Sequence, residues 1–112
     1  MKTTTFEKPQ FIEALTFKVA PEDVDKYLKV EEEVWFKDMV DLPGFLGSET
    51  WVSETKPGEI TQIYFWESEE AFNSISQEFK DEHVKRTDEA CKNEFVSAWH
   101  VLDKRYRIRE FR

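Results

Sequence analysis

The segment from Leu42 to Phe72 constrains the fold of this 112-residue chain most, because a helix end, two strands and a helix start follow one another in it. Pro43 and Gly44 end the preceding helix, since proline disfavours helical angles in the residue before it and glycine accepts a positive φ. Residues 45–52 alternate as in a strand, a Lys-Pro-Gly-Glu turn follows, and residues 60–66 are rich in β-branched and aromatic side chains. This pattern predicts a β-hairpin.

The chain before the hairpin predicts a strand and a helix. Residues 1–10 are polar and are expected to form a flexible N-terminal lead-in. Residues 11–19 alternate as in a strand, although Glu13 falls among its aromatic residues. Residues 21 to about 42 carry apolar side chains at spacings of three and four, and Glu31 lies within that apolar face. The sequence therefore predicts a β-α unit with a carboxylate on the apolar face of each element.

The chain after the hairpin predicts two helical pieces and one strand. Ser68 is an N-cap with acidic residues in the following turn, and it starts a short helix. Residues 77 to about 94 form a second helical piece in this interpretation. Residues 95 to about 108 predict a single long final strand.

The predicted order of elements is therefore β-α-β-β-α-β. Two split β-α-β units with right-handed crossovers give a four-stranded antiparallel sheet with helices on one face, an α+β fold of the ferredoxin-like type. A single domain over residues 11–112 is expected from the length. Because one sheet face stays uncovered and aromatic residues occur on both sides of the strands, we expect a homodimer that packs sheet to sheet.

Composition and motifs exclude several classes of function. A net charge of -8 argues against nucleic acid as a partner, since binding to phosphates requires a basic face. No apolar run approaches the ~20 residues of a membrane span, and the first ten residues lack the apolar core of a signal peptide, so we expect a cytoplasmic protein with no membrane partner. Phosphate loops, paired cysteines and zinc-binding motifs are missing from the sequence, so no nucleotide, flavin or metal cofactor is expected.

Three stretches carry a resemblance to a known superfamily. They are the strand 11–19, the entry Pro43-Gly44-Phe45 into the second strand, and the junction Trp66-Glu67-Ser68-Glu69-Glu70-Ala71-Phe72. In these the chain resembles the dimeric α/β-barrel superfamily that includes the antibiotic biosynthesis monooxygenase-like proteins. Glu33-Val34-Trp35, followed by the Pro43-Gly44 segment, is most similar to a small, functionally uncharacterised bacterial family. The resemblance implies the fold and a dimer, and leaves the activity open because this fold hosts oxygenases, haem degraders, decarboxylases and non-catalytic members.

The haem-degrading branch of that superfamily resembles this chain only in layout. Its members carry an asparagine in the first strand, a tryptophan in the helix after the third strand, and an iron-ligating histidine in the next helix. Glu13 and Ile75 stand at the asparagine and tryptophan positions here, and His83 could stand at the histidine, two residues closer than the spacing of those members. Haem is therefore kept only as an alternative cofactor, with His83 as its candidate ligand.

Three side chains are candidates for a catalytic base. Glu13 is either a buried carboxylate with a raised pKa or a salt-bridged residue at the sheet edge. His83 lies among charged residues and is either part of a solvated face or a base. His100 lies on the apolar side of the predicted final strand, as an interface histidine or as a base facing a cavity. Glu31 has the same two interpretations as Glu13.

Five aromatic residues are candidates for the walls of a pocket for a planar ligand, or for the core and the dimer interface. They are Trp35, Trp51, Tyr64, Trp66 and Trp99.

Two functions from different classes follow, with a third behind them. The first is a homodimeric, cofactor-independent monooxygenase that acts on a planar or apolar small molecule, with Glu13, His83 or His100 as the base. The second is a non-catalytic dimeric small-molecule-binding or stress-response module, and the third is haem binding or degradation. An enzyme should keep a cavity with a desolvated titratable group, whereas a structural module should fill that volume with aromatic side chains.

Overall fold

The computed structural model describes residues 1–112 and confirms the α+β class, with the longer helices on one face of an antiparallel sheet. The strands follow the order β2-β3-β1-β4, and β5 also pairs with β1. The strand bounds are β1 Thr3–Lys18, β2 Phe45–Val52, β3 Glu59–Trp66, β4 Glu94–Ala98 and β5 Tyr106–Phe111. The sheet thus has five strands instead of the predicted four, and within one chain it is open instead of closed into a barrel.

The first helical segment is continuous but changes type along its length. A 3₁₀ turn at Pro21–Asp23 leads into α1 (Val24–Glu31), a π-helical segment (Glu32–Phe36) and α2 (Lys37–Met39). The sequence predicts one helix here, and the wider π turns are not visible in its periodicity. A π segment turns the following side chains relative to a regular α-helix, and such segments are frequent at functional sites.

Three further helices complete the structure: α3 (Glu69–Asn73), α4 (Gln77–Ala90) and α5 (Trp99–Leu102). Ser68 caps α3 by accepting a hydrogen bond from the Ala71 amide at 3.0 Å, as predicted from the sequence. Helix α4 is shorter than the predicted piece that extended to residue 94. None of the helices combines the length and the apolar character that spanning a membrane requires.

The central hairpin is confirmed, and two glycines explain its geometry. Gly44, at φ +81°, follows the first helical segment, and a Cβ there would lie 2.5 Å from the Ala71 Cβ. Gly58, at φ +88°, closes the turn between β2 and β3, and a Cβ there would overlap the carbonyl of Val19. Both positions therefore require glycine for conformation and for space.

The first ten residues are not a separate lead-in. Thr3–Lys18 is one strand, whose first part pairs with β5 through Thr3 opposite Phe111 and Gln10 opposite Arg107. The Arg107 Nη2 donates to Gln10 Oε1 at 2.6 Å. β-Branched threonines favour a strand, and a partner strand nearly one hundred residues away completes it, so these residues are part of the sheet.

The predicted long final strand is interrupted. β4 ends at Ala98, the single-turn helix α5 follows, and β5 begins at Tyr106. β4 pairs with the second half of β1 and β5 with its first half, with register shifts in both ladders. The break lets one edge of β1 accept two short strands in succession, which explains the fifth strand.

The core lies mainly between the sheet and the helices. One buried cluster centres on Ile60 and Tyr27, and a second on Trp66 and Phe11. A third, smaller cluster around Phe65 lies on the opposite face of the sheet, because alternate side chains of a strand point to opposite faces. The helix-covered face therefore positions the site described next.

Candidate functional site

A cavity of about 180 Å³ lies between the helix-covered face of the sheet and the helices. Nine of its eleven lining residues are hydrophobic, so two polar side chains, Glu13 and Lys80, face an otherwise apolar volume. The principal walls are Leu15 and Phe17 on β1, Tyr64 on β3, Tyr27, Trp35 and Met39 on the first helical segment, and Phe79 and Val84 on α4. An apolar cavity with few polar groups is the usual form of a small-molecule site.

Simple periodicities bring these side chains together. Alternation along β1 points Glu13, Leu15 and Phe17 towards the helices. On α4, Lys80 and Val84 lie four residues apart and so share the helix face that covers the sheet. The cavity is therefore bounded by one strand face and one helix face.

Glu13 is the titratable residue of the cavity that is best suited to act as a base. Its Oε1 accepts a hydrogen bond from the Trp66 indole Nε1 at 3.1 Å, and it lies directly opposite Tyr64 in the β1–β3 ladder. Burial raises the pKa of Glu13 from 4.5 to about 7, while the Trp66 hydrogen bond and the charge of Lys80 act in the opposite direction. A carboxyl with this pKa exchanges protons readily at neutral pH, as a general base must.

Glu31 is a second buried carboxyl, and it lies outside the cavity lining. It is 1% exposed, and its Oε2 has no hydrogen-bond partner. Its Oε1 lies 3.4 Å from the Thr50 hydroxyl, which donates a shorter bond of 2.8 Å to Gln62 Oε1. Burial raises the pKa of Glu31 to about 8, against the effects of Thr50 and Gln62, so this carboxyl is mostly protonated at neutral pH.

His83 is held by two hydrogen-bond acceptors. Its Nδ1 lies 2.6 Å from the Phe79 carbonyl oxygen, and its Nε2 lies 2.5 Å from Asp38 Oδ2. The ring is 4% exposed and stacks on Phe79 with a centroid distance of 4.0 Å. Because the ring is buried and each nitrogen already lies within hydrogen-bond distance of a fixed oxygen atom, neither nitrogen is free to accept a proton from a substrate or to ligate iron. The residues present therefore do not fit the haem alternative, in which His83 supplies the ligand.

His100 packs beside the cavity and is not part of its lining. It contacts the Phe72 ring edge-on at a centroid distance of 5.2 Å, and its buried Nδ1 has no hydrogen-bond partner. Burial lowers the pKa of His100, which favours the neutral ring. Of the three candidate bases from the sequence, the structure places Glu13 alone in the cavity lining.

The five candidate aromatic residues separate into two groups. Trp35 and Tyr64 line the cavity, and fully buried Trp66 donates a hydrogen bond to Glu13. Trp51 and Trp99 lie outside it and contact each other at a centroid distance of 6.4 Å. Neither of these two residues lines the cavity.

A β-bulge explains the position of Trp51. The β2–β3 register shifts between Phe45 and Gly47, so residues after the shift point to the opposite face from the one that simple alternation predicts. Phe45 packs on Trp66, under the helices, while Trp51 lies on the other face of the sheet. Trp99 lies in the short helix α5, not in a strand, and packs against the cluster around Phe65.

Lys80 is a functional candidate that sequence reasoning missed. The available signal was its position on α4, four residues from both the cap Ser76 and Val84. Its neighbours in sequence are charged, so the segment looks like a solvated surface.

No group of three His, Cys, Asp or Glu side chains is arranged to hold a metal ion.

Comparisons with known proteins agree with this architecture. A family model described as antibiotic biosynthesis monooxygenase matches residues 10–90. A conserved protein from Methanosarcina mazei Go1 has 15% identity and a TM-score of 0.64, with 89% of this chain and 94% of that chain covered. SnoaB, a cofactor-independent oxygenase from Streptomyces nogalater, has 16% identity and a TM-score of 0.58, with 79% and 89% covered.

A conserved protein of unknown function from Bacteroides thetaiotaomicron VPI-5482 has 13% identity and a TM-score of 0.59, with 88% of this chain and 98% of that chain covered. At these identities the structural similarity establishes the fold alone. No curated protein sequence matches the chain significantly.

Proposed function

The chain belongs to the antibiotic biosynthesis monooxygenase family, and from that premise we propose that it is a cofactor-independent monooxygenase of a planar aromatic small molecule. The observation that carries the proposal is the Glu13 carboxyl, which has a pKa of about 7 and faces an apolar cavity. The similarity to SnoaB, described as a cofactor-independent oxygenase, supports the same reaction class.

Oxidation without a cofactor places a requirement on the substrate, which must itself supply the electrons that reduce O₂. A methylene group flanked by an aromatic ring and a conjugated carbonyl meets it, because loss of one proton gives a delocalised carbanion. Glu13 accepts that proton, and the carbanion reacts with O₂. One oxygen atom becomes the new carbonyl oxygen, and the other leaves as water with the two hydrogens of the methylene.

The neighbours of Glu13 suit this reaction. Lys80 brings a positive charge to the cavity, where it stabilises the anion formed when the substrate loses a proton. The Trp66 indole orients the carboxyl through its hydrogen bond. Trp35 and Phe79, whose ring centroids lie 6.5 Å apart, provide aromatic surfaces against which a planar substrate packs.

Oxygen uptake in ¹⁸O₂ tests the proposal, with the uncatalysed rate subtracted. The probes are anthrone and 1-naphthol, whose keto tautomer carries a methylene group of this kind. We expect one labelled oxygen atom per product, a rate that rises with pH through about 7 as Glu13 loses its proton, and a decrease of about 10²- to 10⁴-fold in Glu13→Gln. Glu22→Gln, at an exposed position, is the matched control. A Glu13→Gln enzyme with the wild-type rate, or no enzyme-dependent uptake with either probe, would contradict the proposal.

We propose further that the working form is a homodimer. The part of the chain from β4 to β5 leaves many large apolar side chains exposed. Among them, Leu102 is 88% and Val101 is 74% exposed. Others in the same region are Phe95, Val96, Tyr106, Ile108 and Phe111. Apolar surfaces of this extent usually mark a protein–protein interface, and a second copy is the partner expected from the family.

The alternative of a non-catalytic binding or stress-response module predicts a cavity volume filled with aromatic side chains. The open cavity and the desolvated Glu13 carboxyl favour the enzyme instead.

A further inference from the structure

A second cavity, of about 330 Å³, adjoins the one that contains Glu13. The two cavities share five lining residues, which are Leu15, Phe17, Tyr27, Trp35 and Val84. Glu13 and Lys80 belong only to the first cavity, and Asp88 and Asn93 only to the second. The shared apolar wall therefore has a different polar pair at each end.

Asp88 and Asn93 line only the second cavity. Their hydrogen bonds leave acceptor atoms free and no free donor. Asn93 Nδ2 donates to Asp88 Oδ1 at 3.1 Å and to the Cys91 carbonyl oxygen at 3.4 Å, which leaves Asp88 Oδ2 and Asn93 Oδ1 available. The Thr87 hydroxyl is already used, since it accepts from Trp35 Nε1 and donates to the His83 carbonyl, both at 2.8 Å. No basic side chain forms an ion pair with Asp88.

The separation of the two ends sets the length of a molecule that reaches both. Four residues of β1, from Glu13 to Phe17, span about 13 Å. Eight residues of α4, from Lys80 to Asp88, span about 12 Å. Phe17 lines both cavities, so the α4 span from Lys80 to Asp88 is the one that joins the two polar pairs, and its length matches a fused-ring system that carries a substituent.

We propose that the second cavity is a subsite for a hydrogen-bond-donating substituent, a hydroxyl or a protonated amine, on an elongated planar substrate whose reacting carbon lies beside Glu13. The inference rests on the proposed function for the placement of the reacting carbon. The free acceptors of Asp88 and Asn93 bind a donor, and the charge of Asp88 repels a carboxylate at the same position.

Isothermal titration calorimetry on the full chain tests this subsite without turnover. The probes are four 2-naphthols that differ only at carbon 6, which carries a methyl, hydroxymethyl, aminomethyl or carboxyl group. Because Asp88 is exposed, we expect the two donor-bearing probes to bind only about threefold to fivefold more tightly than the methyl probe, and the carboxyl probe to bind most weakly. A larger preference for the aminomethyl probe identifies an amine substrate, and equal preferences identify a hydroxyl.

The variant Asp88→Asn keeps the shape of the side chain. Its oxygen continues to accept from Asn93, so its amide NH₂ faces the cavity and replaces a free acceptor with a donor. We expect the preference for donor-bearing probes to disappear in this variant and to persist in Glu89→Gln, an exposed control on the same helix that does not line the cavity.

Equal binding of all four probes, no detectable binding of any probe, or an unchanged preference in Asp88→Asn would overturn the inference. Donor preference without oxygen uptake would contradict the oxygenase proposal and leave the subsite supported. Oxygen uptake without donor preference would support the oxygenase proposal and contradict the subsite.

Discussion

Replacing Glu31 by glutamine removes a carboxyl that is 1% exposed, and it should change how stability depends on pH. The substitution keeps the size and shape of the side chain, and the protonated carboxyl and the amide are both neutral. Stability at pH 5 should therefore change by no more than about 1 kcal/mol. The difference should appear as the pH rises.

The magnitude follows from the pKa of Glu31, which is about 8 in the folded chain against 4.5 as the reference value for the unfolded chain. Between these two pH values the folded chain holds one more proton than the unfolded chain, so the free energy of unfolding falls as pH rises. The contribution of the protonated Glu31 carboxyl to the free energy of unfolding is fully present below pH 4.5 and is lost above pH 8. At about 1.36 kcal/mol per pH unit, the loss is on the order of 5 kcal/mol.

Urea unfolding at pH 5, 6, 7, 8 and 9, followed by far-ultraviolet circular dichroism, measures this difference. We expect Glu31→Gln to be more stable than the wild type above pH 8, by a few kcal/mol on the order given above. Glu32→Gln, at the exposed neighbouring position, should follow the wild-type curve. Parallel curves for Glu31→Gln and the wild type would refute the argument that burial keeps this carboxyl protonated.

Three further outcomes follow from the structure. Haemin titration should produce no Soret shift typical of histidine ligation, and such a shift that disappears in His83→Ala would contradict the assigned hydrogen bonds. His83→Ala should lower the free energy of unfolding by about 2 to 4 kcal/mol in urea, because it removes a buried ring together with its hydrogen bonds to the Phe79 carbonyl and Asp38. An unchanged midpoint and slope would argue against that role. Light scattering should give twice the 13.4 kDa chain mass, and Leu102→Glu should shift the protein towards monomer; a wild-type monomer would remove the dimer from the account.

Local chemistry explains which parts of the fold could be predicted. The hairpin depends on a turn sequence, on alternation and on Gly58, all within a few residues of one another. The first half of β1 was missed because it depends on a partner strand at the other end of the chain, as the Gln10–Arg107 bonds illustrate. The break between β4 and β5 was missed for the same reason, since it follows from how two segments share one edge of β1.

The site was predictable where a residue violated its own periodicity. Glu13 interrupts an aromatic strand face, and Glu31 interrupts an apolar helix face, and both are indeed desolvated. Trp51 shows the limit of this reasoning, because a single bulge in β2 reverses which face it occupies. Lys80 shows another limit, because a lysine among charged residues gives no sign that it faces a cavity.

The pKa of Glu13 is the most direct test of the central claim, that a desolvated carboxyl in an apolar cavity acts as the base. Carbon-13 NMR of the glutamate side-chain carboxyls across pH 3 to 10 measures it, with Glu13→Gln identifying the resonance. The account predicts a midpoint near 7, raised by burial. A midpoint near the ordinary value of 4.5 would show a solvated carboxylate and would contradict the account.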